Sequence, residues 1–425
     1  MLINVSKKAF RSYILFLMFF YLIIFRDLLE LFIPFLGYAD EICGLLLFPI
    51  LLALLIKNGG VIQIKKGFLR RMKIPIFLLL FIIFGFVGNL IFQYQPLYKA
   101  ALPDLFLNLK FWMSIYVAYV LFEKLDLEIF GSRIGNHVKF VTILFIALII
   151  LDYVFNLFDG DIRYGLKSTT LFYGIHTAFA AMCGFLISLL TLVRKYVRGA
   201  NLFTVLLLIL LASTLRSKAF GSVVLFIVLY AIVKVLKVKI KAWHIVVLAA
   251  ICLFIGWTQI QYYFFSDISA GAARNVLTRN CFIVAKDHFP FGSGFATYGS
   301  YFSGVHYSPL YAKYGMADIH GLMESHLSFI SDTFWPMIIA QSGYLGAAAF
   351  VAALVALFFE VQKVSKTDKD YYLAGLFALA YLCVSSFAES AFVSPNAIPL
   401  AIVIGIALKQ AKMKKNQALK EVESK

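Results

Sequence analysis

Uncharged apolar runs recur from one end of this chain to the other, and a run of about 20 such residues spans the ~30 Å hydrocarbon core of a bilayer. Residues 74–92, for example, read IPIFLLLFIIFGFVGNLIF without a single charge. A segment apolar on every face has no use for a water-facing side, unlike an amphipathic surface helix. Only 14% of residues are charged, against about 25% in soluble domains. The reading is an all-α polytopic membrane protein of about twelve transmembrane helices. Expected spans are residues 11–25, 39–56, 74–92, 105–122, 140–156, 171–193, 202–214, 219–233, 244–260, 335–359, 372–387 and 397–408.

The formal net charge of +17 invites a nucleic-acid reading, so the position of the charge matters. Of the 39 Lys and Arg, 28 fall in alternate connections and at the two termini, which carry only 8 of the 22 acidic residues. Cytoplasmic loops retain Lys and Arg during insertion. Both termini are therefore expected on the cytoplasmic side, with the basic pI reporting topology and contact with anionic membrane lipids. No nucleic-acid partner is called for. The first run follows Lys7, Lys8 and Arg11 and is as short as a signal peptide's apolar region. No small-residue cleavage site follows, and Arg26, Asp27 and Glu30 come next, so it reads as an uncleaved anchor.

Between the ninth and tenth expected helices the pattern breaks. Connections longer than about 15 residues are usually functional or disordered, and residues 261–331 far exceed that. Their Tyr and Phe content is foreign to disorder, so a folded periplasmic cap is expected. The chain then divides into residues 1–260 with nine helices, 261–331 as the cap, 332–408 with three helices, and a basic cytoplasmic tail over 409–425.

Absent motifs narrow the chemistry. There is no phosphate-binding glycine loop before a Lys, no His-Glu-x-x-His and no Gly-x-Ser-x-Gly. The five cysteines, Cys43, Cys183, Cys252, Cys281 and Cys383, lie far apart, with neither metal-ligand nor disulfide-framework spacing. No metal and no cofactor is expected.

Three constellations remain. Arg216 and Lys218, in Thr214-Leu-Arg-Ser-Lys218, sit at the outer end of two short apolar segments. Either they snorkel to lipid phosphates, or they face a cavity and grip a pyrophosphate, which arginine's planar fork matches. Arg274 and Arg279 open an amphipathic segment that ends before Pro290-Phe-Gly292-Ser-Gly294. They are either solvated helix charges or, being on the outer side against the topological rule, partners of an anionic ligand. In the third stretch, Asp332 is either a plain helix N-cap or, like His320 and His326, a candidate to take a proton from a sugar hydroxyl. Tyr298, Tyr301, Tyr307, Tyr311 and Tyr314 stud the same loop.

Four pieces carry a resemblance: Gly37-Tyr-Ala-Asp40-Glu41, Leu215-Arg216-Ser217, Pro290-Phe-Gly292-Ser-Gly294, and Asp332-Thr-Phe-Trp335-Pro336 through Gln341-Ser-Gly343-Tyr-Leu-Gly346. With their order and the long loop before the last three helices, the chain resembles the bacterial O-antigen polymerases, of one superfamily with the O-antigen ligases. The resemblance implies a membrane glycosyltransferase that passes a growing glycan from undecaprenyl pyrophosphate to a new lipid-linked repeat unit. It implies an undecaprenyl-pyrophosphate-linked oligosaccharide as substrate, and a chain-length regulator and a flippase of the same pathway as partners. It implies metal-independent chemistry, with Arg216 and Arg274 on the pyrophosphate, Arg279 as the alternative to Arg274, and Lys218 beside Arg216. Where ligases carry a histidine before the helix leading to Gly-x-x-Gly, this chain has Asp332, which argues against ligation to lipid A core. A lipid-linked oligosaccharide flippase is the alternative from another class. It calls for pseudo-repeats and charges lining a transbilayer path, whereas the unusual cations here cluster at outer ends.

Overall fold

The computed structural model describes residues 6–57, 72–237 and 271–423. The expected span over 244–260 lies outside these residues. The described chain is mostly helical: α1 (Lys7–Ile24), α2 (Ala39–Leu45), α3 (Leu47–Lys57), α4 (Lys73–Phe92), α5 (Leu102–Leu121), α6 (Leu127–Phe155), α7 (His176–Val193), α8 (Ala200–Ala212), α9 (Ser217–Tyr230), α10 (Ala273–Asp287), α11 (Phe334–Val364), α12 (Lys369–Ser385) and α13 (Ala397–Glu423). A bilayer offers no water to backbone groups, so apolar runs satisfy them within a helix. Starts are set by ordinary caps. Ser6 accepts from Ala9 N at 3.1 Å, and Asp126 accepts from Glu128 N and Ile129 N at 2.8 and 3.2 Å.

Seven segments among the described residues are long and apolar enough to cross a membrane: Pro34–Ala53, Lys73–Phe92, Leu97–Lys124, Leu127–Phe155, His176–Tyr196, Ser217–Val235 and Phe334–Val364. The chain is thus membrane-embedded in character. Helices α1, α8, α12 and α13 correspond to four further expected spans. The last differs from expectation: α13 does not stop near 408 but runs through the basic residues to Glu423, because Lys, Gln, Ala and Glu are good helix formers with or without a bilayer.

The helices form a bundle with two distinct ends. At one end lie the start of α1, the η-turn Arg194–Tyr196, the start of α12 and the last part of α13, tied by Lys195 and Lys414 to Asp368 at 3.0 and 2.8 Å. At the other lie residues 155–176, 213–217, 331–335 and 386–390. There Thr169 N donates to Ser213 O at 3.0 Å, Trp335 Nε1 to Ser386 Oγ at 3.0 Å, and Ser390 Oγ to Ser331 O at 2.6 Å. We call these the basic end and the cap end. Inside the bundle Lys110 of α5 is buried against Asp40 and, at 3.5 Å, Glu41 in the first turn of α2. Removing one partner of such a pair leaves an uncompensated charge, worth about 3–5 kcal/mol.

The described part of the cap has its own core. Leu277, Cys281 and Val284 on one face of α10 meet Tyr298, Leu310, Tyr311, Met316 and Leu322. Tyr298 and Tyr311 are fully buried. Tyr298 Oη donates to Leu277 O at 2.6 Å, and Tyr311 Oη accepts from Gly299 N at 2.8 Å. These two tyrosines are packing residues of the cap core. Tyr301 is the one left largely exposed among the five named above.

Two of the glycine motifs make the clasp that seats this cap. Gly343, at φ 67° and ψ 179°, breaks the helical path inside α11. The break releases the carbonyls of Ala340 and Gln341, which accept from Ser293 N and Gly294 N, both at 2.9 Å. A side chain at Gly292 (φ 74°) would strike the backbone of Gly343 and Gln341. From the other side, Asn89 of α4 donates to Phe295 O and accepts from its N–H at 2.9 and 2.7 Å, and Asp104 accepts from Ala296 N at 2.8 Å. Asp104, one residue before the expected span over 105–122, lies buried within α5.

Candidate functional site

The site begins at a tight turn. α8 ends at Ala212 and α9 begins at Ser217, so the chain must reverse within Ser213 to Arg216. Leu215 does so at φ 54°, a conformation that costs a non-glycine residue roughly 1–3 kcal/mol. The turn leaves Arg216 as the N-cap of α9 and Lys218 in its first turn. Cations there oppose the helix dipole, and the free N–H groups of a helix start favour an anion. Local stability therefore does not account for this pair.

Each cation meets a carboxylate from elsewhere in the chain. Arg216 donates from Nη2 to Asp161 Oδ2 at 2.8 Å and lies 2.8 Å from Nδ1 of His176. The Asp161 loop is held by a short hairpin, Ile162–Arg163 with Leu166–Lys167, and by Ser168, whose Oγ donates to Asp161 O at 2.7 Å. Lys218, with only 11% of its side chain exposed, pairs with Glu389 at 2.6 Å. Arg274, in the first turn of α10, pairs with Asp332 at 2.5 Å. Lys218 also lies within electrostatic reach of both Arg216 and Arg274, and Asp332 within reach of Lys218 and Glu389. Three cations and three carboxylates thus meet at the cap end, brought from five separate segments. Burial pushes the Asp332 carboxyl above its usual range, with Arg274 pulling it back.

The other expected residues lie apart from this cluster. Arg279 follows Arg274 by five positions, about 140° around a helix at 3.6 residues per turn. It is exposed and makes no ion pair among the described residues. His320 and His326 face each other with ring centroids 4.5 Å apart on the exposed surface of the cap, where Ser328 Oγ meets His326 Nε2 at 3.1 Å. Asp332 is not a helix N-cap: Thr333 holds that position in α11, without a side-chain cap bond, and the Asp332 carboxylate is turned to Arg274.

Glu389, Asp161 and His176 complete the cluster, and sequence reasoning did not single them out. Glu389 is the one charged residue between Ser386 and Asn396. A lone acid in the expected connection between the last two helices, on the side where the expected topology also puts Arg216, Lys218 and Arg274, is the signal that points to it. His176 opens α7 with no comparable pattern around it. A scan of the chain against protein-family models finds no match, and a search of curated proteins finds none either.

Proposed function

We propose that this chain is an O-antigen or capsular repeat-unit polymerase of a bacterial inner membrane, acting on undecaprenyl-pyrophosphate-linked oligosaccharides. The observation that carries the reading is the meeting of Arg216, Lys218 and Arg274 at one end of the bundle, all three at the starts of two helices. Three cations beside free helix N–H groups suit a pyrophosphate. In this reading the chain crosses the membrane about twelve times. Both termini are cytoplasmic, and the cap end is periplasmic.

The chemistry follows from the pairs. The acceptor hydroxyl oxygen attacks the anomeric carbon of the growing glycan. A glycosidic C–O bond forms, and the bond from that carbon to the pyrophosphate oxygen breaks. Undecaprenyl pyrophosphate leaves with the electron pair, its charge stabilised by Arg216, Lys218 and Arg274. When the pyrophosphate occupies Arg274, Asp332 loses its partner and takes the hydroxyl proton. A carboxylate already raised by burial is the better base for it.

A deletion strain tests the reading through its surface glycan. A single repeat unit on the surface is the polymerase outcome. No surface glycan indicates a flippase instead, and polymer retained on its lipid carrier indicates a ligase.

A further inference from the structure

The basic end holds three cations that the chemistry above does not use. Lys7 and Arg11 of α1 and Arg133 of α6, with Phe10 and Phe130, line an open cleft of about 410 Å³. No carboxylate lines it, and none of the three cations forms an ion pair among the described residues. Elsewhere at this end several cations are compensated: Lys234 pairs with Asp370 at 2.7 Å, and Lys195 and Lys414 share Asp368. The floor of the cleft is a fixed joint between the two helices. Tyr13 stacks on Phe130 with centroids 4.3 Å apart, and Tyr13 and Tyr21 bracket His137 at 3.2 and 2.6 Å.

The face that carries the charge continues as hydrocarbon. Positions 7, 11, 14 and 18 are spaced to lie along one side of a helix. After Lys7 and Arg11 come Ile14 and Met18, which are 40% and 65% exposed. A free phosphate would use only the first half of that stripe. We propose that this cleft binds the phosphodiester headgroup of an anionic glycerophospholipid, with an acyl chain lying along Ile14 and Met18. Like-charged Lys7 and Arg11, one turn apart, repel each other, and the bound phosphate relieves that repulsion. The site is independent of the cation cluster at the cap end.

The test is native mass spectrometry of the full chain in detergent, titrated with phosphatidylglycerol or phosphatidylcholine. The wild-type protein should retain phosphatidylglycerol in preference to phosphatidylcholine. Arg11→Gln with Arg133→Gln should weaken that retention about tenfold or more, while Lys363→Gln with Lys366→Gln, exposed at the same end, should not change it. Equal retention of the two lipids by the wild type, a comparison that needs no variant, would overturn the proposal. So would undiminished retention by the Arg11/Arg133 variant. Complete displacement by millimolar inorganic phosphate would overturn the lipid assignment, because the apolar stripe would then contribute nothing.

Discussion

The two ends of the bundle differ in how completely they match positive charge with acids. At the cap end Arg216, Lys218 and Arg274 each hold their own carboxylate, and each is drawn at least partly out of solvent. At the basic end one carboxylate, Asp368, serves two lysines, and Lys7, Arg11 and Arg133 have none among the described residues. An excess of exposed cations is what a cytoplasmic surface requires. Cations folded in against matched acids are expensive to arrange and need another reason. A site that must receive a multiply charged anion supplies one, since the acids hold the cations in place until the ligand arrives.

The sharpest way to break this comparison is to locate the ends. A phosphatase fused after Gly304 should be active, and the same fusion at Gly199 or at the C-terminus should be silent. Activity at Gly199 would invert the assignment. Next in size is the loss of a single charge at the cap end. Arg216→Ala should reduce polymer by about 100-fold or more, as removal of a preorganised charge stabiliser does. Protein level and single-repeat product should stay normal. Arg216→Lys should rescue poorly, because a point charge lacks the bidentate fork.

A smaller effect is expected in pH dependence. In the proposed mechanism Asp332 works ionised, and burial sets its pKa above the usual carboxylate range, so activity should fall as pH drops through a window above that range. Asp332→Asn should remove that acid limb together with most of the activity. Because the folded-state value is raised, the ionised carboxylate adds no stability at neutral pH, and the Asn variant should melt no lower. Least affected are the cap cations outside the cluster. Arg279→Ala and Lys286→Ala should leave ladder length within about twofold, as surface changes without a buried partner usually do.

The fold was legible where length and apolarity decide it. Each described span expected from an apolar run has a helix at its place, since a uniformly apolar stretch has few alternatives in a membrane. The aromatics of residues 261–331 marked a stretch unlike disorder, and among its described residues Tyr298 and Tyr311 are buried in a common core. The site was legible in part. Arg216, Lys218 and Arg274 stand out because, in the expected topology, they fall on the outer side against the charge rule. Their partners do not: Asp161 and Glu389 lie more than fifty and more than one hundred positions from the cations they meet, and only helix packing brings them in. The glycine motifs were legible as motifs but not as a clasp, because nothing local says that the carbonyls freed at Gly343 will receive the amides of Ser293 and Gly294. Asp332 looked like a cap because it precedes a helix, yet the helix begins one residue too late for that.

The central claim is that cations from distant segments serve one pyrophosphate, and a double-mutant cycle tests it directly. Polymer ladders are compared for Arg216→Ala, Arg274→Ala and the double variant in membranes with matched protein amounts. Residues that stabilise one transition state act as a unit, so both single variants should lose polymer alike and the double should be scarcely worse. A wild-type ladder from Arg274→Ala, or losses that simply multiply in the double variant, would contradict the account.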